Sequence, residues 1–252
     1  MKKTIFICLL FLSFFACKKK DDPDPGPSGT PIANVTPSDS TNYQALFSCL
    51  NVYSKISGTY TPIGKQTAAY YSSQLITNEI YTASNLQDMG IVSLDSILFK
   101  SKSAITNHYY NDTTGTQFTL PYKWIVSGTP AIASFSFSNS NTPPTFTASA
   151  NIPDSIKISS GFSINIKGTT DCSLIRVFIL GGNGSTSFPN KLIAGTDSLI
   201  NFSATDLQGV NATNTGYISI QFNRDHYRSI AGKRINFRTG LQYINTAFKI
   251  KP

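Results

Sequence analysis

The chain contains 252 residues, of which 13% are charged and 40% are hydrophobic, and its formal net charge is +8. Glutamate occurs once, at Glu79, and good helix-forming residues are scarce, which argues against a helical bundle. The apolar share excludes a chain that is disordered throughout, because it is large enough to form hydrophobic cores. Length and composition together predict an all-β protein with one or two domains, and we take two as the working number.

The first seventeen residues predict a signal peptide, residues 1–16, followed by a lipid-bearing cysteine. Lys2 and Lys3 precede an apolar run of thirteen residues from Thr4 to Ala16, and Cys17 follows at once. Thirteen helical residues span about 20 Å, less than the roughly 30 Å hydrocarbon core of a bilayer, so we expect removal of this segment. The small residue before Cys17 resembles the lipobox of bacterial lipoproteins, which implies diacylglycerol on its thiol. The alternative is an ordinary secretory signal.

Residues 17–33 are expected to form a flexible tether behind the lipid. The stretch from Lys18 to Gly29 is too rich in charge, proline and glycine to pack into a core. Lys20, Asp21 and Asp22 resemble the export signal of Bacteroidota-type lipoproteins that are sent to the outer face of the outer membrane. That resemblance implies an outer-membrane lipoprotein exposed at the cell surface, and an anchor that faces the periplasm is the alternative.

Five short triplets resemble the O-glycosylation site of the same bacterial lineage. Each begins with aspartate followed by serine or threonine, and the resemblance implies modification at Ser40, Ser96, Thr113, Ser155 and Ser198. The alternative is ordinary turn chemistry, because aspartate followed by serine also favours a turn.

Residues 144–252 predict an immunoglobulin-like β-sandwich domain. Apolar and polar positions alternate in short runs that are separated by turn residues. The strand candidates are Ser155 to Ile158, Phe162 to Lys167, Leu174 to Leu180, Ser198 to Phe202, Tyr217 to Phe222, Arg234 to Phe237 and Tyr243 to Ile250.

Residues 34–141 predict a first β-rich domain, joined to the second by a stiff linker at residues 138–144. A curved sheet or an open sandwich would use its many aromatic residues, and a helix from Asn78 to Gln87 is a weaker candidate. The strand candidates are Ala45 to Ser54, Lys55 to Tyr60, Ala68 to Ile76, Ile91 to Phe99, Gln117 to Leu120 and Tyr122 to Ser127. The predicted fold class is therefore all-β, with two β-sandwich-like domains in tandem after the signal peptide and tether.

Two further segments carry a resemblance to a known group of proteins. The stretch from Trp124 to Gly128 and the stretch from Gly232 to Phe237 resemble a group of uncharacterised Bacteroidota-type surface lipoproteins with tandem β-sandwich domains. The resemblance implies a location and an architecture, and it implies no chemistry.

The sequence contains no catalytic motif. His108 and His226 are the only histidines, and neither HExxH nor GxSxG occurs, so we predict no metal site, no cofactor and no enzymatic activity. Signal removal and lipidation leave Cys49 and Cys172 as free candidates. Two separately buried thiols are expected, with a disulfide between the domains as the alternative.

The most site-like cluster is Arg224, His226, Tyr227 and Arg228, which we expect on a loop between two strands of the second domain. Such a loop would bind an anionic or sugar ligand through hydrogen bonds and ring stacking. The alternative is a polar loop with Tyr227 packed on the domain edge. Basic residues continue to Lys251 and suit anionic partners or a solvated sheet edge, but we predict no nucleic-acid partner for an exported chain.

These observations favour a membrane-anchored lipoprotein with a non-enzymatic binding, adhesion or envelope-accessory role. Its expected partners are the membrane, through the lipid, and a glycan or an envelope protein. The first alternative is a carbohydrate-binding component of a polysaccharide-uptake system. A divergent hydrolase is the second alternative, and it lacks a nameable nucleophile, metal set or acid pair.

Overall fold

A computed structural model describes residues 30–31, 42–77, 79, 83–99, 101–102, 109–112 and 118–252 of the chain. Strands make up 62% of it and no α-helix occurs in these residues, which confirms the predicted all-β class. Two short 3₁₀ turns cover Ala83–Asn85 and Ser149–Asn151.

The strands, in chain order, are β1 (Thr30–Pro31), β2 (Tyr43–Ile56), β3 (Thr59–Ile76), β4 (Leu86–Gln87), β5 (Val92–Leu94), β6 (Ile97–Phe99), β7 (Ser101–Lys102), β8 (Tyr109–Asp112), β9 (Tyr122–Val126), β10 (Phe135–Asn139), β11 (Ser155–Lys157), β12 (Phe162–Asn165), β13 (Leu174–Leu180), β14 (Asn190–Ala194), β15 (Leu199–Phe202), β16 (Thr213–Ile230) and β17 (Lys233–Lys251).

One large sheet organises the molecule. Its order is β14-β13-β16-β17-β2-β3-β8-β7. Three short strands pair with members of this sheet outside that order: β1 pairs with β16, β11 with β17 and β4 with β3. The C-terminal strand β17 lies near the middle, antiparallel to β16 and parallel to β2, with Phe237 opposite Phe47 in the second pairing. Segments from opposite ends of the chain therefore share one continuous ladder of backbone hydrogen bonds.

Two tight turns make the long hairpins of this sheet. Ser57 and Gly58 join β2 to β3, and Ala231 and Gly232 join β16 to β17. All four residues have positive φ angles, as a two-residue hairpin turn of type I′ requires. The glycine in each pair adopts this conformation without steric cost. The first turn also shows that the predicted strand from Lys55 to Tyr60 was wrong, because the chain reverses within it.

The first hydrophobic core lies between the large sheet and a four-stranded sheet of order β10-β9-β5-β6. Phe47 and Phe237 belong to the large sheet, while Trp124 and Phe135 belong to the smaller one, and all four are buried. Their rings pack at centroid separations of 5.3 to 5.4 Å around Phe47. Edge-to-face and stacked pairs of this kind add about 0.5–1.5 kcal/mol each beyond area burial.

The second hydrophobic core lies against the same large sheet, farther along β16 and β17. Phe222 and Tyr243 contribute from those strands, and Ile164 and Ile200 contribute from the two-stranded sheet of β12 and β15. Each core is thus enclosed by two sheets packed face to face, as in a β-sandwich. The strands β16 and β17 contribute to both cores, so residues from the predicted segment 144–252 also complete the core of the segment 34–141.

Other element predictions had mixed outcomes. The strand from Leu174 to Leu180 is confirmed as β13. The predicted strands around residues 217–222, 234–237 and 243–250 are parts of the two longest strands, β16 and β17. Within the predicted helix, Ala83–Asn85 form a 3₁₀ turn and the next two residues form β4, whereas residues 78 and 80–82 lie outside the described residues.

A buried ion cluster lies on the face of the large sheet opposite the two cores. The Arg238 guanidinium, 3% exposed, donates to both carboxylate oxygens of Glu79 at 2.6 and 2.9 Å and to both oxygens of Asp225 at 2.6 and 3.1 Å. Burial alone would raise the pKa of Glu79, but the adjacent Arg238 outweighs it and the pKa lies below its ordinary value of 4.5. Bidentate pairing on both sides compensates for the cost of burying these charges.

Replacing Glu79 with Gln is expected to lower the free energy of unfolding by about 3 kcal/mol at pH 7, because Arg238 then loses one of its two buried partners. The folded-state pKa of Glu79 is depressed, so this stability is present at neutral pH and is lost as the pH falls below about 4.5. Urea denaturation at several pH values measures both effects. The control is Asp154→Asn. The Asp154 side chain is 71% exposed beside Lys55, so this substitution should lower the free energy of unfolding by less than about 1 kcal/mol. A difference between wild type and Glu79→Gln that did not change with pH would contradict the assignment.

Candidate functional site

A polar cleft of about 480 Å³ opens beside the large sheet, where β16 passes from the second core to the first. We call it the inter-core cleft. Its lining comes from the middle of β16, from the turn before β13, from the turn after β14 and from the segment after β10. The lining residues are Asn141, Thr169, Asp171, Cys172, Ser173, Gly195, Thr196, Arg224, Asp225 and His226.

Backbone hydrogen bonds hold the turns that form the walls of the cleft. The Ser173 N–H donates to the carbonyl of Asn223 at 2.7 Å, and the Gly195 N–H donates to the carbonyl of Ser173 at 3.1 Å. At Gly195 a Cβ atom would lie 2.0 Å from the carbonyl oxygen of Cys172, so the two turns approach this closely only because residue 195 is glycine. The Asp225 N–H donates to Ser173 Oγ at 3.2 Å and ties this wall to β16. The walls are therefore preformed rather than loose loops.

Arg224 is the main charged group of the cleft. Its Nη1 donates to Thr142 Oγ1 at 3.2 Å and to the Thr142 carbonyl at 3.4 Å, and it lies 3.8 Å from Asp171 Oδ1. Nη1 is the only guanidinium nitrogen of Arg224 with a hydrogen-bond partner among the described residues. The guanidinium is thus positioned by one nitrogen, and its Nε and Nη2 donors remain available.

His226 lies next to Arg224 on the same face of β16. Its ring packs on Phe137 at a centroid distance of 5.4 Å, and its Nε2 atom is buried without a hydrogen-bond partner in the described part of the chain. Burial, followed by the charges of Arg228 and Arg224, lowers the pKa of His226 below 6.5. The imidazole is therefore neutral at pH 7, and the potential around it is positive.

The structure separates the four predicted ligand-binding residues. Arg224 and His226 line the cleft, whereas the Arg228 guanidinium lies 5.4 Å from the ring centre of Phe137 and is not part of the lining. Tyr227 lies on the opposite face of the strand, where it is 6% exposed and belongs to a small apolar cluster. The Arg234 guanidinium lies over its ring, 4.6 Å from the ring centre. The predicted loop was wrong, because all four residues belong to β16 and successive strand residues face opposite sides.

The remaining cleft residues could not be found from the sequence. Thr169, Ser173, Thr196 and Asn141 are ordinary polar residues of turns and connections, and only strand pairing brings them beside Arg224. Asp225 lines the cleft but its carboxylate is fully buried against Arg238. Asp171 is therefore the lining residue that leaves a carboxylate exposed to solvent.

The two described cysteines, Cys49 and Cys172, are free thiols; Cys49 is buried as predicted, whereas Cys172 is only partly buried. Cys49 is buried in the first core, where burial raises the pKa of its thiol well above the usual range. Cys172 lines the cleft, but burial raises its pKa to about 12. Both are protonated at neutral pH, so neither is an activated nucleophile.

The other predicted sites are only partly described. Ser96 and Ser198 are exposed in turns, while Ser155 begins β11 and pairs with Lys249. Cys17, Lys20, Asp21, Asp22, Ser40 and Thr113 lie outside the described residues. Within the described ranges no group of three or more His, Cys, Asp or Glu side chains is placed to hold a metal ion. No helix in the same ranges is long and apolar enough to span a membrane.

Comparison of the chain with protein-family models, with curated proteins and with solved structures found no match.

The two described cysteines are expected to resist thiol reagents in the folded protein. In the full chain carrying Cys8→Ala and Cys17→Ala, less than about a tenth of the thiols should react at pH 7, because the raised pKa values leave almost no thiolate. Both should react after unfolding in denaturant, as a colorimetric thiol assay would show. Adding Thr205→Cys at an exposed turn provides the reactive control. Rapid labelling of Cys172 in the folded chain would revive a nucleophilic role.

Proposed function

We propose that this chain is a membrane-anchored surface lipoprotein with a non-enzymatic binding role, and that its ligand occupies the inter-core cleft. The observation that carries the binding role is the preformed polar cleft, whose walls are fixed by backbone hydrogen bonds. Concave sites with a few well-placed polar groups on a rigid scaffold are where proteins commonly bind small molecules. The signal segment, Cys17 and the tether support the anchor through the sequence pattern alone.

The chemistry of the cleft supports binding over catalysis. Cys172 is protonated, and the Asp225 carboxylate is engaged by Arg238. In the described part of the chain, His226 has arginines and Phe137 as its neighbours rather than a carboxylate that would orient it as a general base. A glycoside hydrolase needs two carboxyl groups across the substrate, and Asp171 alone presents one.

A carbohydrate-binding component of a polysaccharide-uptake system is the second candidate. It is favoured by the hydroxyl and amide side chains of Asn141, Thr169, Ser173 and Thr196 in the lining, because such groups hydrogen-bond to sugar hydroxyls. Ring stacking by Tyr227 does not contribute, since that side chain is buried on the opposite face of the sheet.

Replacing Cys17 with Ala is expected to abolish acylation and membrane retention, because the thiol that would carry the lipid is lost. Mass spectrometry of the amino-terminal peptide, together with protease shaving of intact cells, measures anchor and exposure. The control Cys8→Ala lies within the predicted signal segment and should leave acylation unchanged. The double change Asp21→Ala and Asp22→Ala should keep the lipid but reduce protease access. An unacylated mature start in the wild type would contradict the anchor.

Replacing Thr196 with Val should weaken glycan binding about fivefold, because an exposed hydroxyl of the cleft is lost without a change in side-chain shape. A glycan array followed by calorimetry on the full chain in detergent measures the effect. Thr205→Val removes an exposed hydroxyl outside the lining and should leave binding unchanged. An array without any signal counts against the carbohydrate candidate, and turnover of a bound glycan would contradict the non-enzymatic role.

A further inference from the structure

We infer that the inter-core cleft selects a carboxylate-bearing sugar, with the carboxylate held by Arg224 and the sugar hydroxyls held by the polar side chains of the turns. The inference rests on the proposed function, because it names the class of ligand for the same cleft. It is carried by the geometry of Arg224, by the balance of charge around it and by the uncharged remainder of the lining.

Arg224 has the geometry of a prepared anion-binding group. Thr142 holds it through Nη1, so the adjacent Nε and Nη2 hydrogens, which lie on one edge of the planar guanidinium, have no partner among the described residues. Two parallel N–H donors on one edge match the two oxygens of a carboxylate. Part of the entropic cost of ordering the side chain is already met by Thr142, which favours ligand binding.

The carboxylates close to Arg224 do not cancel its charge. Asp225 follows it in sequence, but this carboxylate is on the opposite face and bonded to Arg238. Asp171 approaches only to 3.8 Å, and the two side chains are 31% and 53% exposed, so the pair contributes little to stability and a ligand carboxylate can compete with it. The lowered pKa of His226, to which Arg228 and Arg224 contribute after burial, supports a positive potential in this part of the cleft.

The rest of the lining is suited to an uncharged polyol. Asn141, Thr169, Ser173 and Thr196 provide amide and hydroxyl groups, and no lysine or second arginine lines the cleft in the described part of the chain. A polyphosphate or a strongly acidic polymer would require several cationic groups, whereas one arginine among hydroxyls matches a single carboxylate on a sugar ring. A monosaccharide unit with one carboxylate therefore fits both Arg224 and the amide and hydroxyl groups of the lining.

The test uses calorimetry on the full chain in detergent with four probes: galacturonate, its uncharged methyl ester, galactose and acetate. Galacturonate should bind at least about tenfold more tightly than the ester or galactose, since the charge-assisted contact to Arg224 is lost without the carboxylate. Acetate should also bind more weakly than galacturonate, because it lacks the hydroxyls. Equal affinity for galacturonate and galactose would overturn the inference while leaving the proposed binding function intact. Equal affinity for acetate and galacturonate would overturn the claim that the cleft binds the sugar hydroxyls. No binding of galacturonate would overturn the inference as a whole.

Two substitutions of opposite expected sign locate the site. Arg224→Gln should weaken galacturonate binding at least about tenfold, whereas Asp171→Asn should strengthen it severalfold by removing the competing carboxylate. Asparagine tolerates the positive φ of 56° at position 171, so the second variant preserves the turn. Lys157→Gln removes an exposed positive charge outside the cleft and is the matched control for Arg224→Gln. Weaker binding of galacturonate by Asp171→Asn would overturn the assignment.

His226 provides a readout that a purely structural role of Arg224 would not move. Burial, and then the charges of Arg228 and Arg224 on its own strand, lower the pKa of His226. Asp171 lines the same cleft from the facing turn, whereas Phe137 and Phe237 beside the imidazole are uncharged. A bound carboxylate should therefore raise the pKa of His226, and affinity should increase as the pH falls through the raised value. Histidine NMR with His108→Gln, which leaves a single histidine, measures this shift. An unchanged His226 resonance at saturating galacturonate would place the ligand elsewhere.

Discussion

The backbone pairing of β17 with both β16 and β2 is the constraint on which the structure depends. Without the parallel contact to β2, the strands that enclose the first core would lose Ile235 and Phe237, which belong to the other end of the chain. With it, two cores lie on the same face of one large sheet and are separated by the central part of β16 and β17. The molecule is therefore built around a non-local hydrogen-bond ladder rather than around either core alone.

The region between the two cores is polar, and this determines where a site can form. The hydroxyl of Thr239, on β17, hydrogen-bonds to the Tyr122 hydroxyl at 2.7 Å. The Asn139 side-chain amide donates to the Tyr122 hydroxyl at 2.8 Å and to the Thr239 hydroxyl at 2.9 Å. Arg224 lies opposite Thr239 across the strand pair, at the point where the apolar side chains of the second core end. The side chains of Tyr122, Asn139 and Thr239 hydrogen-bond to one another, and Arg224 and His226 line the cleft, so the gap between the cores is a hydrophilic opening rather than a continuation of hydrophobic packing.

Because successive residues of a strand face opposite sides of the sheet, neighbouring side chains of β16 make different contacts. Arg224 and His226 face the junction, whereas Asp225 and Tyr227 face the opposite side, where Arg238 and Glu79 form the buried ion cluster. The cluster keeps the Asp225 carboxylate away from Arg224 and ties the Glu79 side chain to β17. One side of the sheet thus supplies ionic contacts for stability, and the other side presents a cation to the cleft.

The sequence by itself determined the β class, the alternation of apolar residues that fills each core and local elements such as β13, because these follow from side-chain type and period along a few residues. The sequence also predicts a signal segment and a lipid-bearing Cys17, and no tertiary contact tests that prediction. It could not determine that Arg224 to Arg228 continue a strand. Five polar or amphipathic residues in succession break the apolar alternation and are typical of a loop, whereas here they cross the polar junction between the two cores. Only the tertiary structure decided that β17 pairs with β2, that Tyr227 is buried and that the turns before β13 and after β14 meet beside Arg224. The physical reason is that strand partners are chosen by backbone hydrogen bonds and by packing between distant segments, and neither leaves a residue-specific pattern in the local sequence.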